Sequence, residues 1–236
     1  MIELSEVTKT YGKKKNLFTA LEKVSFTIPD GASVAILGKS GSGKSTLMHI
    51  MSGLDRPTHG SVVVDGVDIS KMKSKVIDKF RAQKIGFIFQ AFFVQANESC
   101  YYNVALPLEI GRVGSKARKR RVTDALIAVG LAEKINQKAN NLSGGQKQRL
   151  AIARAIVTQP SILFADEPTG NLDSATGGMI EKLLFKFNKK MKATLVIVTH
   201  DHELAAKCDI QILIKDGQIV KVLGGVKQAT GQGATV

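Results

Sequence analysis

The sequence predicts an α/β fold: a parallel sheet covered by helices, with a smaller antiparallel sheet beside it. Three observations carry this expectation. Residues 162–165 and 194–198 are continuous apolar runs, as expected of strands buried on both faces. Helical patterns alternate with such strands through the middle of the chain, which is the pattern of parallel sheets with crossover helices. Short β-branched segments open the chain, and Asp216-Gly217 near its end signals a hairpin.

Taken in order, residues 2–7, 23–28 and 33–37 read as strands bounded by turn residues. Residues 44–52 form a helix after a glycine-rich turn, and 61–64 a strand ended by Asp65-Gly66. A charged helix is expected over 74–83 and a buried strand over 85–88. Ala117, Val122, Ala125, Leu126 and Val129 fall at helical spacing and predict a helix over 115–129. Ser143 stands where an N-cap belongs, before a helix running to about residue 158. Another helix, 174–190, separates the two apolar runs. Two strands flank Asp216-Gly217, and this hairpin is expected to share the antiparallel sheet with the early strands. Residues 224–236, rich in Gly, Ala, Thr and Gln, are expected to be a flexible tail.

Composition narrows the function. With 236 residues, 44% apolar and 23% charged, the chain suits one folded domain and not a disordered one. A net charge of +14 suits an acidic partner: a nucleotide, a nucleic acid or an anionic membrane surface. Cys100 and Cys208 lie far apart without metal-binding spacing, which fits a reducing compartment. No apolar run reaches the roughly 18–20 residues that span a bilayer, and the N-terminus carries Glu3 and Glu6 where a signal peptide wants base. A cytoplasmic protein is expected, reaching a membrane only through a partner or a surface.

Gly38-Lys39-Ser40-Gly41-Ser42-Gly43-Lys44-Ser45 fits the phosphate-loop pattern G-x-x-x-x-G-K-[ST], between an apolar strand and a helix. Glycines let successive N–H groups turn inward onto phosphate oxygens, and the helix N-terminus adds partial positive charge. Lys44 is placed to neutralise the β- and γ-phosphates, and the Ser45 hydroxyl to ligate Mg²⁺. Further on, the strand at 162–165 ends in Asp166-Glu167-Pro168. Ligands gather at the carboxyl ends of parallel strands. Asp166 is expected to hold Mg²⁺ directly or through a water, and Glu167 to accept a proton from the attacking water or orient it.

Leu142-Ser143-Gly144-Gly145-Gln146 resembles the signature sequence of ABC ATPases, and it falls between the two nucleotide motifs. From the residues alone, Ser and two glycines at a helix start are either a capped helix or a second phosphate cradle. The resemblance covers roughly residues 2–222. It implies the P-loop NTPase fold of an ABC cassette: a RecA-like parallel core, a small antiparallel β subdomain and a helical signature subdomain over about 91–158, in a single domain spanning 1–223. It also implies ATP and Mg²⁺ as cofactors. Nucleotide contacts would come from Gly38 to Thr46, with Lys39, Ser40, Gly41, Ser42 and Gly43 in the loop, and from Tyr11, which resembles the adenine-stacking aromatic residue. Gln90 resembles the glutamine that touches Mg²⁺ or water, Asp173 lies in a run (Asn171-Leu172-Asp173) that resembles the loop crossing between subunits, and His200 resembles the γ-phosphate-contacting histidine. Glu167, His200 and Gln90 are thus the expected catalytic residues, and Ser45, Gln90 and Asp166 the expected Mg²⁺ ligands. Ser143, Gly144, Gly145 and Gln146 would act on the nucleotide of a second copy in a head-to-tail homodimer.

The run from Asp166 to Ser174 looks most like the macrolide-exporter (MacB), lipoprotein-release (LolD) and FtsE-type cassettes. This implies an integral membrane permease partner and a peripheral place on the inner face of the membrane, with regulation of a cell-envelope complex as the alternative. One stretch departs from that group: in AFFVQANESCYYNV (91–104), Tyr102 stands where an acid is usual. The basic run over 112–121 reads as a solvated helix face or as a contact for anionic lipid headgroups. Between Ser45 and Ser143 there are no sustained heptads of the kind DNA-repair relatives insert, so no nucleic-acid partner is expected.

Overall fold

The structure, a computed structural model, describes residues 1–13 and 16–224. In chain order it runs β1 (Ile2–Tyr11), β2 (Phe18–Ile28), β3 (Ser33–Leu37), α1 (Lys44–Met51), β4 (His59–Val64), β5 (Val67–Asp68), α2 (Ser74–Lys84), β6 (Ile85–Phe89), α3 (Cys100–Ile110), α4 (Ser115–Ala128), α5 (Gly144–Ile156), β7 (Ile162–Asp166), α6 (Ser174–Met191), β8 (Thr194–Thr199), α7 (His202–Ala206), β9 (Ile210–Lys215) and β10 (Gln218–Gly224). Two units are distinguished: Met1–Ile77 together with the described residues from Val198 on, and Asp78–Ile197.

In the first unit, an antiparallel sheet has the order β2-β1-β4-β5. Ile2, Leu4, Val7, Phe26, Ile28, Val62 and Val64 bury its inner face. β1 and β2 are longer than the apolar alternation predicts. Glu6 (φ 51°) and Lys23 (φ 47°) sit at irregularities in their pairing, and each extra residue breaks the two-residue period while the ladder continues. The same unit holds the run β10-β9-β3. Here the structure corrects an expectation. The C-terminal hairpin does not join the antiparallel sheet; β9 pairs in parallel with β3, from Val34↔Ile210 to Leu37↔Leu213. The register is pinned by Asp209, whose carboxylate accepts both the Ser33 N–H (2.8 Å) and its hydroxyl (2.7 Å). Ile210, Ile212 and Ile214 are buried beside Val34–Leu37 of β3, which explains the pairing.

In the second unit β8-β7-β6 are neighbours, with β6 and β7 parallel from Ile85↔Ile162 to Phe89↔Asp166. Helices α3, α4 and α5 pack on one another, and α5 also packs on β6 and α6. Val104, Leu108, Val122, Leu126, Leu150 and Ile152 are buried in that packing. α3 has no counterpart in the predicted elements. Among the described residues, no helix is long and apolar enough to cross a membrane. The expected flexible tail lies outside the described residues apart from Gly224, which ends β10.

Candidate functional site

In the first unit every residue of β3 is buried, and the strand runs directly into the loop at Gly38. A Cβ on Gly38 would stand 2.4 Å from the Ile214 carbonyl oxygen; one on Gly43, at φ 102°, would stand 2.6 Å from that of Ala20. Both positions therefore need glycine, because the surrounding backbone is already in place. Gly43 caps α1 with no side-chain hydrogen bond, so the first-turn N–H groups are not spent on a side-chain cap. The Lys44 Nζ donates to the Gly38 and Lys39 carbonyls at 2.8 and 2.9 Å, which folds the ammonium over the loop. Ser42 Oγ is buried and makes no hydrogen bond among the described residues. The Ser42 carbonyl, in contrast, accepts the Gly217 N–H (3.0 Å), and the Gly217 carbonyl accepts the Glu22 N–H (2.9 Å). The β9–β10 turn thus braces the loop from behind.

Tyr11 ends β1 and is 39% exposed. Its hydroxyl donates to Asp55 Oδ2 at 2.7 Å. Burial and then the Asp55 bond push the phenol above its ordinary range. Burial disfavours the Asp55 carboxylate, but hydrogen bonds from Lys9, Tyr11 and the Arg56 N–H outweigh it and hold the group below the usual carboxylate range. Tyr11 is thereby joined through Asp55, whose N–H donates to the His49 carbonyl (3.1 Å), to the helix that follows the phosphate loop. His200 is exposed at the end of β8. The adjacent Asp201 caps α7, accepting from Glu203 N and Leu204 N at 2.8 and 3.1 Å.

In the second unit the parallel register places Gln90 after β6 and Glu167 after β7 at corresponding strand ends. Gln90 and Asn171 bond reciprocally: Gln90 Nε2 donates to Asn171 Oδ1 (3.2 Å), and Asn171 Nδ2 donates to the Gln90 carbonyl (3.0 Å). Asp166 is half-buried at the end of β7. Glu167 has φ 44°, in the left-handed region, and its carbonyl accepts the Gly170 N–H at 3.1 Å. Strained backbone of this kind, about 1–3 kcal/mol per residue, concentrates where side-chain direction matters. Ser143 caps α5 through a reciprocal box with Gln146: the Ser143 N–H donates to Oε1 (3.0 Å), and the Gln146 N–H donates to Oγ (3.4 Å). Ser143 and Gly144 are exposed, and Gly145 lies against Thr176. Asp173 caps α6, and the Thr176 N–H it accepts at 3.0 Å is the main cause of its lowered carboxyl.

The sequence reading missed three polar residues that organise these loops. Gln148 on α5 is fully buried and donates to the Pro168 carbonyl (2.6 Å), directly after Glu167; its Oε1 makes no hydrogen bond among the described residues. The available signal was a glutamine on the apolar stripe it shares with Ala151, Ile152 and Ala155. Arg154, whose charge burial disfavours, donates to the Phe93 (2.7 Å) and Phe92 (3.2 Å) carbonyls, holding the segment after Gln90. Asn103, also buried, accepts the Gln95 N–H (2.7 Å) and donates to the Gln95 and Ser99 carbonyls (3.1 and 3.0 Å). At Tyr102, where the family group has an acid, the cap is completed by Ser99 Oγ accepting the Tyr102 N–H (3.1 Å).

Among the described residues, no three His, Cys, Asp or Glu side chains form a metal cluster. Each unit offers oxygen donors of the kind a hard cation takes: the Ser45 hydroxyl in the first, and the Gln90 amide and Asp166 carboxylate in the second. The glycine positions that a Cβ would fill, with the Lys44 ammonium over them, fit a phosphate.

Comparison with known proteins agrees with this geometry. The family model described as ABC transporter matches residues 21–170. The chain is 41% identical over 220 residues to the uncharacterised ABC transporter ATP-binding protein YvrO of Bacillus subtilis, covering 93% of this chain and 96% of that one. It is 40% identical over 220 residues to the lipoprotein-releasing system ATP-binding protein LolD of Syntrophus aciditrophicus, covering 93% and 99%. Among solved structures, the dimeric post-hydrolysis state of the cassette MJ0796 of Methanocaldococcus jannaschii, bound to ADP and Pi, superposes with a TM-score of 0.86 at 39% identity, covering 98% of this chain and all of that one. With the phosphate loop, the acidic strand end and the capped signature helix in place, the chain belongs to the ABC transporter family, as one of its ATP-binding, ATP-hydrolysing cassettes.

Proposed function

We propose that the chain is the MgATP-hydrolysing subunit of a transporter of the lipoprotein-release or macrolide-exporter type, driving an integral membrane permease from the inner face of the membrane. The observation that carries this is the phosphate loop: glycines closed in by fixed backbone, an α1 N-terminus without a side-chain cap, and Lys44 folded over the loop carbonyls. On binding, Lys44 exchanges those carbonyls for the β- and γ-phosphate oxygens, and the loop amides take the remaining charge. Ser45, Gln90 and Asp166 are the proposed Mg²⁺ ligands; when bound, the cation neutralises charge on the phosphates. Tyr11 stacks on the base, His200 contacts the γ-phosphate, and Glu167 accepts the proton of the attacking water. Gln90 orients that water, and its reciprocal bonds to Asn171 couple it to the run containing Asp173.

One phosphate loop leaves the γ-phosphate open to solvent on one side. In the proposed head-to-tail dimer, the exposed Ser143 and Gly144, with Gly145 and Gln146, close it from a second copy. The dimer of the MJ0796 relative supports that arrangement. An apolar groove of about 630 Å³ in the second unit supports a permease contact; it is lined by Pro107, Leu108, Ile110 and Val113, with Arg112 and Arg121 beside them. Lys116, Lys119 and Arg120 on α4 are exposed and suit anionic headgroups at the same membrane surface. The test is a pair of variants. Lys44→Ala should lose nucleotide binding, and Glu167→Gln should bind ATP normally but turn over at a small fraction of the wild-type rate. Unchanged affinity in the first, or wild-type turnover in the second, would overturn the assignment.

A further inference from the structure

Tyr11 is held by more than its strand. Asp55 Oδ2 accepts its hydroxyl at 2.7 Å, while Asp55 Oδ1 accepts Lys9 Nζ, also at 2.7 Å, and the Arg56 N–H. Lys9 Nζ donates again to the Arg56 carbonyl (2.8 Å) and sits 4.7 Å from the centroid of the Tyr11 ring, over its face. The Lys9 side chain is 12% exposed and that of Asp55 32%, so the pair is half-buried and less screened than a fully solvated one. Asp55 is in turn fastened to the phosphate-loop helix: the Leu54 and Asp55 N–H groups both donate to the His49 carbonyl in the last turn of α1, at 2.9 and 3.1 Å. A continuous chain of contacts therefore runs from the phosphate loop through α1 and Asp55 to the aromatic ring.

We infer that Lys9 and Asp55 are positioning residues for the nucleotide base. They lock the Tyr11 ring at a set place relative to the phosphate loop, with a cation covering one face and the other face offered to a purine. The inference rests on the proposed nucleotide reading and deepens it. The physical logic is preorganisation: a free tyrosine must give up side-chain freedom to stack on a base, and a clamped one has already done so. The Lys9 ammonium also occupies the face on which a base would otherwise compete, so stacking has one geometry and not two.

The experiment is calorimetric titration with MgATP and, separately, with magnesium tripolyphosphate, which has the phosphates and no base. Asp55→Ala and Lys9→Met should each weaken ATP binding about three- to tenfold, the scale of a stacking or cation–π contact, and leave tripolyphosphate within about twofold. Asp55→Asn, which keeps an acceptor for the Tyr11 hydroxyl, should recover part of the loss. In a Tyr11→Ala background, Asp55→Ala should cost ATP affinity little more, because its effect passes through the ring. Equal loss of both ligands, unchanged ATP affinity in Asp55→Ala, or full additivity with Tyr11→Ala would overturn the inference. A wild-type chain that binds both ligands equally would refute base reading and leave the phosphate loop standing; one that binds neither would refute the nucleotide reading itself.

Discussion

Gly217 lies about 175 residues from the phosphate loop in sequence, yet the structure makes it part of the loop's foundation. Its φ is 78°, a left-handed conformation that costs a residue with a Cβ about 1–2 kcal/mol. A Cβ there would also stand 2.8 Å from the Ala20 carbonyl oxygen, 3.1 Å from its carbon and 3.2 Å from Leu21 Cα. All three are backbone atoms, so the turn must move, at the roughly 1–3 kcal/mol typical of overpacking. Gly217→Ala should therefore lower stability by about 2–5 kcal/mol, a large part of the 5–15 kcal/mol of an ordinary domain. The moving turn carries the N–H that bonds the Ser42 carbonyl at 3.0 Å, so the folded variant should also bind MgATP several-fold more weakly. Urea unfolding gives the first quantity, and ATP titration at a temperature where the variant is folded gives the second. Asp216→Asn is the control: residue 216 is also left-handed (φ 49°), a conformation asparagine tolerates, and it should be near neutral. A variant as stable as wild type would refute the steric reasoning, and a destabilised one with unchanged ATP affinity would refute the bracing.

Gln148→Leu should lower stability by about 1–3 kcal/mol, because it leaves the Pro168 carbonyl without its buried donor, and it should reduce turnover more than ATP affinity since Pro168 follows Glu167; steady-state kinetics beside ATP titration measure that split. The Cys208 thiol is pushed from its ordinary 9.0 to about 12, mainly by burial and then by the Asp209 charge. A raised folded value adds stability that is present below the ordinary thiol range and is lost as pH rises towards about 12, so native Cys208 at pH 8–9 should react with thiol reagents at least tenfold more slowly than in urea, by roughly the ratio its thiolate fraction sets. Replacing Lys116, Lys119 and Arg120 with glutamate should abolish flotation with vesicles containing anionic lipid, at roughly 1 kcal/mol per charge, and leave ATP turnover in solution unchanged; flotation equal to wild type would reduce that face to a solvated helix.

What was legible in the sequence was whatever is contiguous. The phosphate loop, the strand ending at Asp166 and the Ser143 cap each announce themselves within ten residues, since the backbone geometry they need is local. α3 was not legible, because it is apolar nearly all round: Cys100, Val104, Ala105 and Leu108 are buried while Tyr102 and Ile110 are exposed, so no stripe marks a face, and Pro107 sits in its interior. The hairpin is legible in Asp216-Gly217 but its sheet is not; its partner, β3, is set by packing across most of the chain, which alternation within a strand does not encode. The supporting residues of the site were invisible for a related reason. Gln148, Arg154 and Gly217 act through the backbone carbonyls of Pro168, Phe93 and Ser42, and carbonyls carry no residue type to read.

In the proposed mechanism ATP joins two copies of this chain, and hydrolysis assisted by Glu167 parts them. The direct measurement is the mass in solution of Glu167→Gln, by light scattering, with and without MgATP. A doubling of mass on addition of MgATP, reversed when nucleotide is removed and prevented by disrupting Ser143 on both copies, is the predicted result. A chain that binds ATP and stays monomeric at every concentration would contradict the account.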